Sequence, residues 1–146
     1  MIRVMIVDDC NIVREGVRSL LEKAAEIEVI KCVCNGKEAI EEIKENLTKP
    51  DVVIMDLVMP VMGGIRATEI INKLFDQIKV IVLSDINNPE TISCALAAGA
   101  KGYIFKSHIE ELFSAIQVIN EGYVLVEDEI MDNLLEKQKR ATISLG

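Results

Sequence analysis

An α/β fold in three layers, with a parallel sheet between helices, is predicted from three features of the sequence. Short runs rich in β-branched and apolar residues alternate five times with stretches whose apolar residues recur at helical spacing. The connections between them are short, which suits right-handed crossovers between parallel strands. The strand-length runs are also apolar at successive positions, as strands buried on both faces must be. With 146 residues, half of them hydrophobic, the chain suffices for one domain with a real core and a tail.

Ile2 to Val7 is the first strand and ends in Asp8-Asp9. Ile12, Val13, Val17, Leu20, Leu21 and Ala24 then repeat as the buried face of a helix. Ile27 to Val33 is the second strand. After Gly36, Ala39, Ile40, Ile43 and Leu47 share a helix face. The third strand, Asp51-Val52-Val53-Ile54-Met55-Asp56, organises the rest. Pro50 precedes it, and Met59-Pro60 and Gly63-Gly64 confine it to strand length, so that an apolar run terminates in a carboxylate. Ligands bind at the carboxyl ends of strands in open parallel sheets, which places Asp56 for chemistry.

Ile65, Ala67, Ile70, Ile71 and Leu74 define the third helix, and Lys79 to Leu83 the fourth strand, ending in Ser84-Asp85. Asn88-Pro89-Glu90 starts a fourth helix, with proline suited to its first turn. Its small buried side is Ala95, Ala97 and Ala98, and Gly99 stops it. Gly102-Tyr103-Ile104-Phe105 is a fifth strand ending in Lys106. Ile109, Leu112, Phe113, Ile116 and Ile119 form the fifth helix, which ends near Gly122. Domain and tail divide there: residues 1–122 form the domain and 123–146 a linker helix and tail, with Ile130, Met131, Leu134 and Leu135 as an apolar stripe for packing on the domain or on a second copy. The last six residues have no element of their own.

Twenty-four acidic and sixteen basic side chains leave a net charge of −8, which disfavours a general nucleic-acid-binding surface. Cys10, Cys32, Cys34 and Cys94 lack CxxC spacing; the first three fall in or beside strands, where free thiols pack as small hydrophobes. No signal peptide precedes the first strand, and no apolar run nears the roughly 20 residues that span a bilayer, so the expected location is the cytoplasm. His108, the only histidine, has no evident partner and reads as the start of the fifth helix.

Asp8, Asp9, Asp56, Ser84 and Lys106 all fall at strand ends on one edge. Taken singly, the acidic pair is a capped loop, Lys106 a surface lysine and Ser84 a loop capper. Together they are a site. Clustered carboxylates repel one another, and a hard divalent cation such as Mg²⁺ relieves that repulsion. One carboxylate can then act as a nucleophile toward phosphorus, with the metal and Lys106 offsetting charge on the phosphoryl oxygens and Ser84 donating a hydrogen bond.

In this order, Asp8-Asp9, Asp56-Leu57-Val58-Met59-Pro60, Leu83-Ser84 and Lys106 resemble the motifs of the receiver domain of two-component response regulators, over about residues 1 to 122. The resemblance implies a flavodoxin-like, doubly wound sheet of five strands in the order 2-1-3-4-5 with five flanking helices. It implies phosphorylation of Asp56 by a sensor histidine kinase, self-directed phosphoryl transfer being the only chemistry. Mg²⁺ would be held by Asp9, Asp56 and the Val58 backbone carbonyl, with Asp8 reaching it through water. Tyr103 matches the family's switch aromatic, whose ring turns inward when Ser84 is drawn toward the phosphoryl group; a plain core aromatic would look the same. The Gly-Tyr-Ile-Phe-Lys-Ser segment and the Glu121-Gly122-Tyr123 turn resemble NarL/FixJ-like (LuxR-type) regulators, in which a helix-turn-helix DNA-binding domain follows. DNA contact and control of transcription would therefore lie in a domain beyond this sequence, and phosphorylation could favour a homodimer. A stand-alone receiver acting by protein contacts is the alternative.

Some positions depart from the family pattern. Gly63-Gly64 stands where Asp-Gly is common, so a capping carboxylate is missing. Asp85 adds charge beside Ser84, Ser107 stands where a proline often follows the lysine, so the usual cis peptide is not expected there, and Val58 is apolar at a position that influences water access. An Mg²⁺-dependent phosphohydrolase with an aspartyl-phosphate intermediate would want a second acid where Val58 stands. A flavodoxin-type electron carrier would want a phosphate-cradling loop where Asp8-Asp9-Cys10-Asn11 stands.

Overall fold

The computed structural model describes residues 1–127 and Ile130. The strands are β1 (Ile2–Val7), β2 (Ile27–Val33), β3 (Val52–Met55), β4 (Lys79–Leu83), β5 (Gly102–Ile104) and β6 (Leu125–Val126). The helices are α1 (Asn11–Glu22), α2 (Gly36–Glu45), α3 (Gly64–Leu74), α4 (Pro89–Ala97) and α5 (Leu112–Asn120), with a 3-10 turn over Lys106–Glu111 ahead of α5. All strand pairs are parallel, in the order β2-β1-β3-β4-β5-β6. The first five follow the expected order. The sixth corrects the expectation of a five-stranded sheet: Leu125 and Val126 pair with Gly102 and Tyr103 at the β5 edge.

Strand parity sorts the helices, because successive side chains point to opposite faces. Val4, Ile6, Val52, Ile54, Ile81, Leu83 and Ile104 pack with Val17 and Leu21 of α1 and Leu112, Ile116 and Ile119 of α5. On the other face, Met5, Val7, Val53, Met55 and Val80 pack with α2 and α3 through Ala39, Ile40, Ile43, Ala67 and Ile71. Val82, Tyr103 and Phe105 meet Ile92 and Ala95 of α4 there. Most of these strand positions are 0–2 % exposed, so the sheet is buried on both sides.

Helix starts follow local chemistry. Asn35 accepts the Glu38 N–H at 3.0 Å, and the Glu38 carboxylate accepts the Cys34 N–H at 2.9 Å, a reciprocal cap for α2. Asn88 accepts the Thr91 N–H, with Pro89 in the first turn of α4. Gly63 caps α3 with no side-chain hydrogen bond, as its missing carboxylate predicted. Gly99 and Gly122 follow α4 and α5 with φ of 113° and 110°, a conformation that favours glycine.

Several expectations at element margins fail. Leu47 lies beyond the end of α2 and is fully exposed; Ile12 and Leu74 are exposed on their helices. Ala97 is exposed as well, whereas Ile92, not anticipated, is a core residue of α4. Cys10, Cys34 and Cys94 are exposed and only Cys32 packs partly against the core, so the small-hydrophobe reading fails for Cys10 and Cys34. The apolar strand pattern stops at Val7, three residues before Cys10, and at Val33, next to Cys34, which leaves both thiols in solvated loops. Among the described residues no peptide bond is cis. Of the expected linker stripe, Ile130 is fully buried in the α4-side cluster; Met131, Leu134 and Leu135 lie outside the described residues. No helix among the described residues is long and apolar enough to cross a membrane.

Candidate functional site

The sheet register continues one or two residues past the strands and holds the candidate side chains in place. The Asp8 N–H donates to the Val33 carbonyl at 3.1 Å, the Asp56 N–H to Val7 at 2.9 Å and the Ser84 N–H to Ile104 at 3.0 Å. The Lys106 N–H donates to the Ser84 carbonyl at 3.3 Å. Four residues from β1, β3, β4 and β5 are thus tied to one rim by main-chain hydrogen bonds. Asp8, Asp56 and Ser84 are buried, and Asp9 is exposed.

Asp8, Asp9 and Asp56 offer carboxylate oxygens within 4.8 Å of one another. Lys106 Nζ lies 3.4 Å from Asp8 Oδ2 and 3.4 Å from Asp56 Oδ1. Asp56 Oδ1 also accepts the Leu57 N–H at 2.9 Å, and Asp8 Oδ1 accepts the Cys10 N–H at 2.8 Å. Burial, and then the charge of Asp8, push the Asp56 carboxyl above the usual carboxylate range, against the lowering effect of Lys106. Burial acts to lower the Lys106 ammonium, but Asp56 and Asp8 outweigh it and hold its pKa above the ordinary lysine value. One ammonium shared between two carboxylates, with a third nearby, leaves the pocket short of positive charge. An all-oxygen donor set of this kind suits a hard divalent cation.

Ser84 Oγ accepts the Ile86 N–H at 3.2 Å, and the Tyr103 hydroxyl donates to the Ile86 carbonyl at 2.7 Å. Ile86 is therefore held from both sides, by the site serine and by the candidate switch aromatic. Tyr103 is fully buried, so its ring is already inside the α4–β5 face, packed edge-on to Phe105. Asp85 is exposed and accepts the Ser107 N–H at 3.2 Å, which spends its charge on joining the β4–α4 loop to the Lys106 turn. The Val58 side chain is exposed at the rim.

Other contributors had little or no sequence signal. Gly64, at the first turn of α3, donates its N–H to the Leu57 carbonyl at 2.9 Å; a methyl group there would sit 2.0 Å from the Asp56 carbonyl oxygen. The Gly-Gly pair is the trace of that close approach in the sequence. Val61 has φ of 67° in a tight turn in which the Met62 N–H donates to the Pro60 carbonyl at 2.7 Å. A β-branched residue adopts this backbone at a cost of about 1–3 kcal/mol, so the surroundings must impose it. Met62 supplies that constraint by packing against the α2–α3 side and accepting the Gly36 N–H. Arg14 donates to the Asp8 carbonyl at 2.6 Å. His108 has a partner after all: its Nδ1 lies 3.0 Å from Glu127 Oε2, a pairing across 19 residues that no local pattern announces.

A buried carboxylate, a shared lysine, a hydroxyl and a cluster of carboxylate oxygens suited to a hard cation are the parts that phosphoryl transfer to a side chain needs. The model of the response regulator receiver domain matches residues 4–117. The chain is 36% identical over 141 residues to the transcriptional regulatory protein LnrK of Bacillus subtilis (strain 168), covering 96% of this chain and 63% of that one. It is 35% identical over 140 residues to the response regulator protein VraR of Staphylococcus aureus, covering 95% and 66%. The chain thus spans about two thirds of the length of these relatives. Among solved structures, a LuxR-family two-component response regulator from Aurantimonas sp. SI85-9A1 aligns with a TM-score of 0.85 at 34% identity, covering 93% of this chain and 96% of that one. The isolated receiver domain of RcsB from Salmonella enterica, solved with the phosphomimetic BeF3⁻, aligns with a TM-score of 0.81 at 26% identity, covering 91% and 98%. With its strand order, its rim of acids and lysine and these likenesses in agreement, the chain belongs to the receiver domain family of two-component response regulators.

Proposed function

We propose that the chain is a phosphoacceptor switch, phosphorylated on Asp56 by a sensor histidine kinase with Mg²⁺. The observation that carries this reading is the division of labour on one carboxylate. Both the Leu57 N–H and Lys106 engage Asp56 Oδ1, and among the described residues no hydrogen bond reaches Oδ2. Anchored by one oxygen, the group presents the other for attack. Oδ2 would bond to phosphorus as the bond to the donor's leaving group breaks, giving an acyl phosphate. Lys106 would offset charge on the transferred oxygens. The Ser84 hydroxyl, which now accepts from Ile86, has its proton to donate to one of them.

Asp9, Asp56 and the Val58 carbonyl would hold Mg²⁺, with Asp8 acting through water. The three carboxylates, which offer oxygens within 4.8 Å of one another, fit such an ion. When bound, it supplies electrostatic stabilisation of phosphoryl charge. The relatives named as transcriptional and response regulators support control of transcription as the output, exerted through a DNA-binding domain in the full-length protein.

Intact mass after incubation with acetyl phosphate, with and without Mg²⁺, tests the proposal. A metal-dependent gain of one phosphoryl group, labile to hydroxylamine and absent in Asp56→Asn, is expected. A gain that persists in Asp56→Asn would refute the assignment.

A further inference from the structure

The residues after α5 return to the β5–Lys106 segment at three points. Val126 pairs with Tyr103, and the Leu125 N–H donates to the Lys101 carbonyl at 2.9 Å. Glu127 meets His108, two residues past Lys106, at 3.0 Å. Ile130 is fully buried in the cluster that contains Tyr103 and Phe105. The segment thus grips the chain on both sides of Lys106, through Tyr103 before it and His108 after it.

Glu127 shows that this grip is specific. Its side chain is 12% exposed, and among the described residues its Oε1 is buried without a partner while Oε2 engages His108. A carboxylate with an unbonded buried oxygen is unfavourable, so its other oxygen must be well engaged for the arrangement to persist. Burial of Ile130 and the β6 pairing hold it there. The Lys106 turn is tied to the domain by the Lys106 N–H to Ser84, the Ser107 N–H to Asp85 and the His108 N–H to Phe105, by the Lys106 ion pairs with Asp8 and Asp56, and by His108 packed edge-on to Phe105. Among the described residues, Glu127 adds the one hydrogen bond to this turn that comes from beyond α5. His108 also departs from helical geometry, with φ of −114° and ψ of 36°, so the chain kinks at the residue that Glu127 holds.

We propose that residues 123–127 with Ile130 form a strap in which Glu127, through His108, is a positioning residue for Lys106, so that strap docking and phosphoryl binding at Asp56 favour each other. This rests on the phosphoacceptor reading above. Coupling of two binding events is reciprocal, and whatever the strap adds to phosphoryl affinity, phosphoryl binding must return as strap stability. The groups facing His108 are Glu127 after β6 and Glu110 and Glu111 of its own turn, all acidic. The latch therefore weakens as His108 loses its proton.

The test uses the full chain with Mg²⁺ and beryllofluoride, which stands in for the phosphoryl group. Glu127→Ala is expected to weaken beryllofluoride binding about 3- to 10-fold, within the usual 5- to 150-fold range of coupled sites or just below it. Affinity for Mg²⁺ alone should not fall and should rise slightly, because a loosened Lys106 would compete less with the ion for Asp8 and Asp56. In the wild type, beryllofluoride should slow exchange of the Leu125 amide by a similar factor. The ratio of wild-type to variant affinity should fall toward one as pH rises through the His108 titration, and His108→Gln, which keeps a hydrogen bond but no charge, should bind at an intermediate, pH-independent level. A merely structural role would move none of the pH behaviour. If Glu127→Ala and wild type bind beryllofluoride alike, the strap proposal is overturned while the phosphoacceptor reading stands. If the wild type binds none, that reading fails, and the strap proposal with it.

Discussion

Replacing Gly64 with alanine should disturb the phosphoacceptor from a position that bears no reactive group. The new methyl would lie 2.0 Å from the Asp56 carbonyl oxygen and 2.9 Å from both the Asp56 carbonyl carbon and Leu57 Cα. Ordinary contact begins near 3.4 Å, so the start of α3 and the Asp56–Leu57 backbone must separate by about 1.4 Å. Neither side is a flexible side-chain end: the Asp56 N–H is bonded to Val7, and Gly64 to Leu57. Overpacking of this kind costs about 1–3 kcal/mol, and the helix preference for alanine returns at most about 1 kcal/mol. A net loss of about 1–2 kcal/mol leaves a domain of ordinary stability folded. The site should suffer more, since a displacement of about 1 Å at reacting groups is worth on the order of 100-fold in rate. Urea unfolding and the rate of phosphoryl uptake from acetyl phosphate measure the two effects. Gly16→Ala is the control of opposite sign: beyond its own helix backbone nothing lies within 4 Å of the added methyl, and α1 should gain about 0.5–1 kcal/mol with uptake unchanged. A Gly64→Ala protein as stable as wild type and phosphorylated at the same rate would refute the reasoning.

Tyr103→Phe removes the donor to the Ile86 carbonyl while keeping the buried ring; a loss of about 1–2 kcal/mol in urea unfolding is expected, and no loss would show that water replaces the bond. Asp56→Asn removes a carboxylate that burial and Asp8 disfavour, so in the presence of a chelator the variant should melt higher than wild type at neutral pH; a lower melting temperature would mean that the Lys106 contact outweighs both. The His108 pKa is raised by its hydrogen bond to Glu127 and then by that residue's charge. A group raised in the folded state contributes fully below its unfolded value near 6.5 and loses that contribution as pH rises through the higher folded value. The protection factor of the Leu125 amide, the intrinsic base-catalysed rate over the observed rate at each pH, should therefore fall across that window in wild type and stay flat in His108→Gln; equal profiles would refute the latch.

Much of the site is legible in the sequence because it is built on strand ends. β1, β2 and β4 match their predicted spans, and Asp8, Ser84 and Lys106, one or two residues past β1, β4 and β5, fall on one edge by strand order alone. Local chemistry also marks the starts and stops at Asn88-Pro89, Gly99 and Gly122. Helix margins are less legible. Ile12, Leu47 and Leu74 continue an apolar period, yet a period cannot say where the sheet ends and a side chain has nothing left to cover.

What the sequence determined by itself is thus the alternation of elements, the doubly buried strands and the acids, hydroxyl and lysine at their carboxyl ends, since each depends on neighbours in the chain or on the period of a strand. The tertiary structure decided the rest. It settled the sharing of Lys106 between Asp8 and Asp56, the inward Tyr103 held through Ile86, and the Gly64 backbone seated on Asp56. It also added β6 at the β5 edge, carrying Glu127 to His108. A two-residue strand has too little pattern to be seen in isolation. Its stability comes from an edge, a latch and a buried isoleucine brought together from distant parts of the chain, and a one-dimensional periodicity carries no record of such pairings.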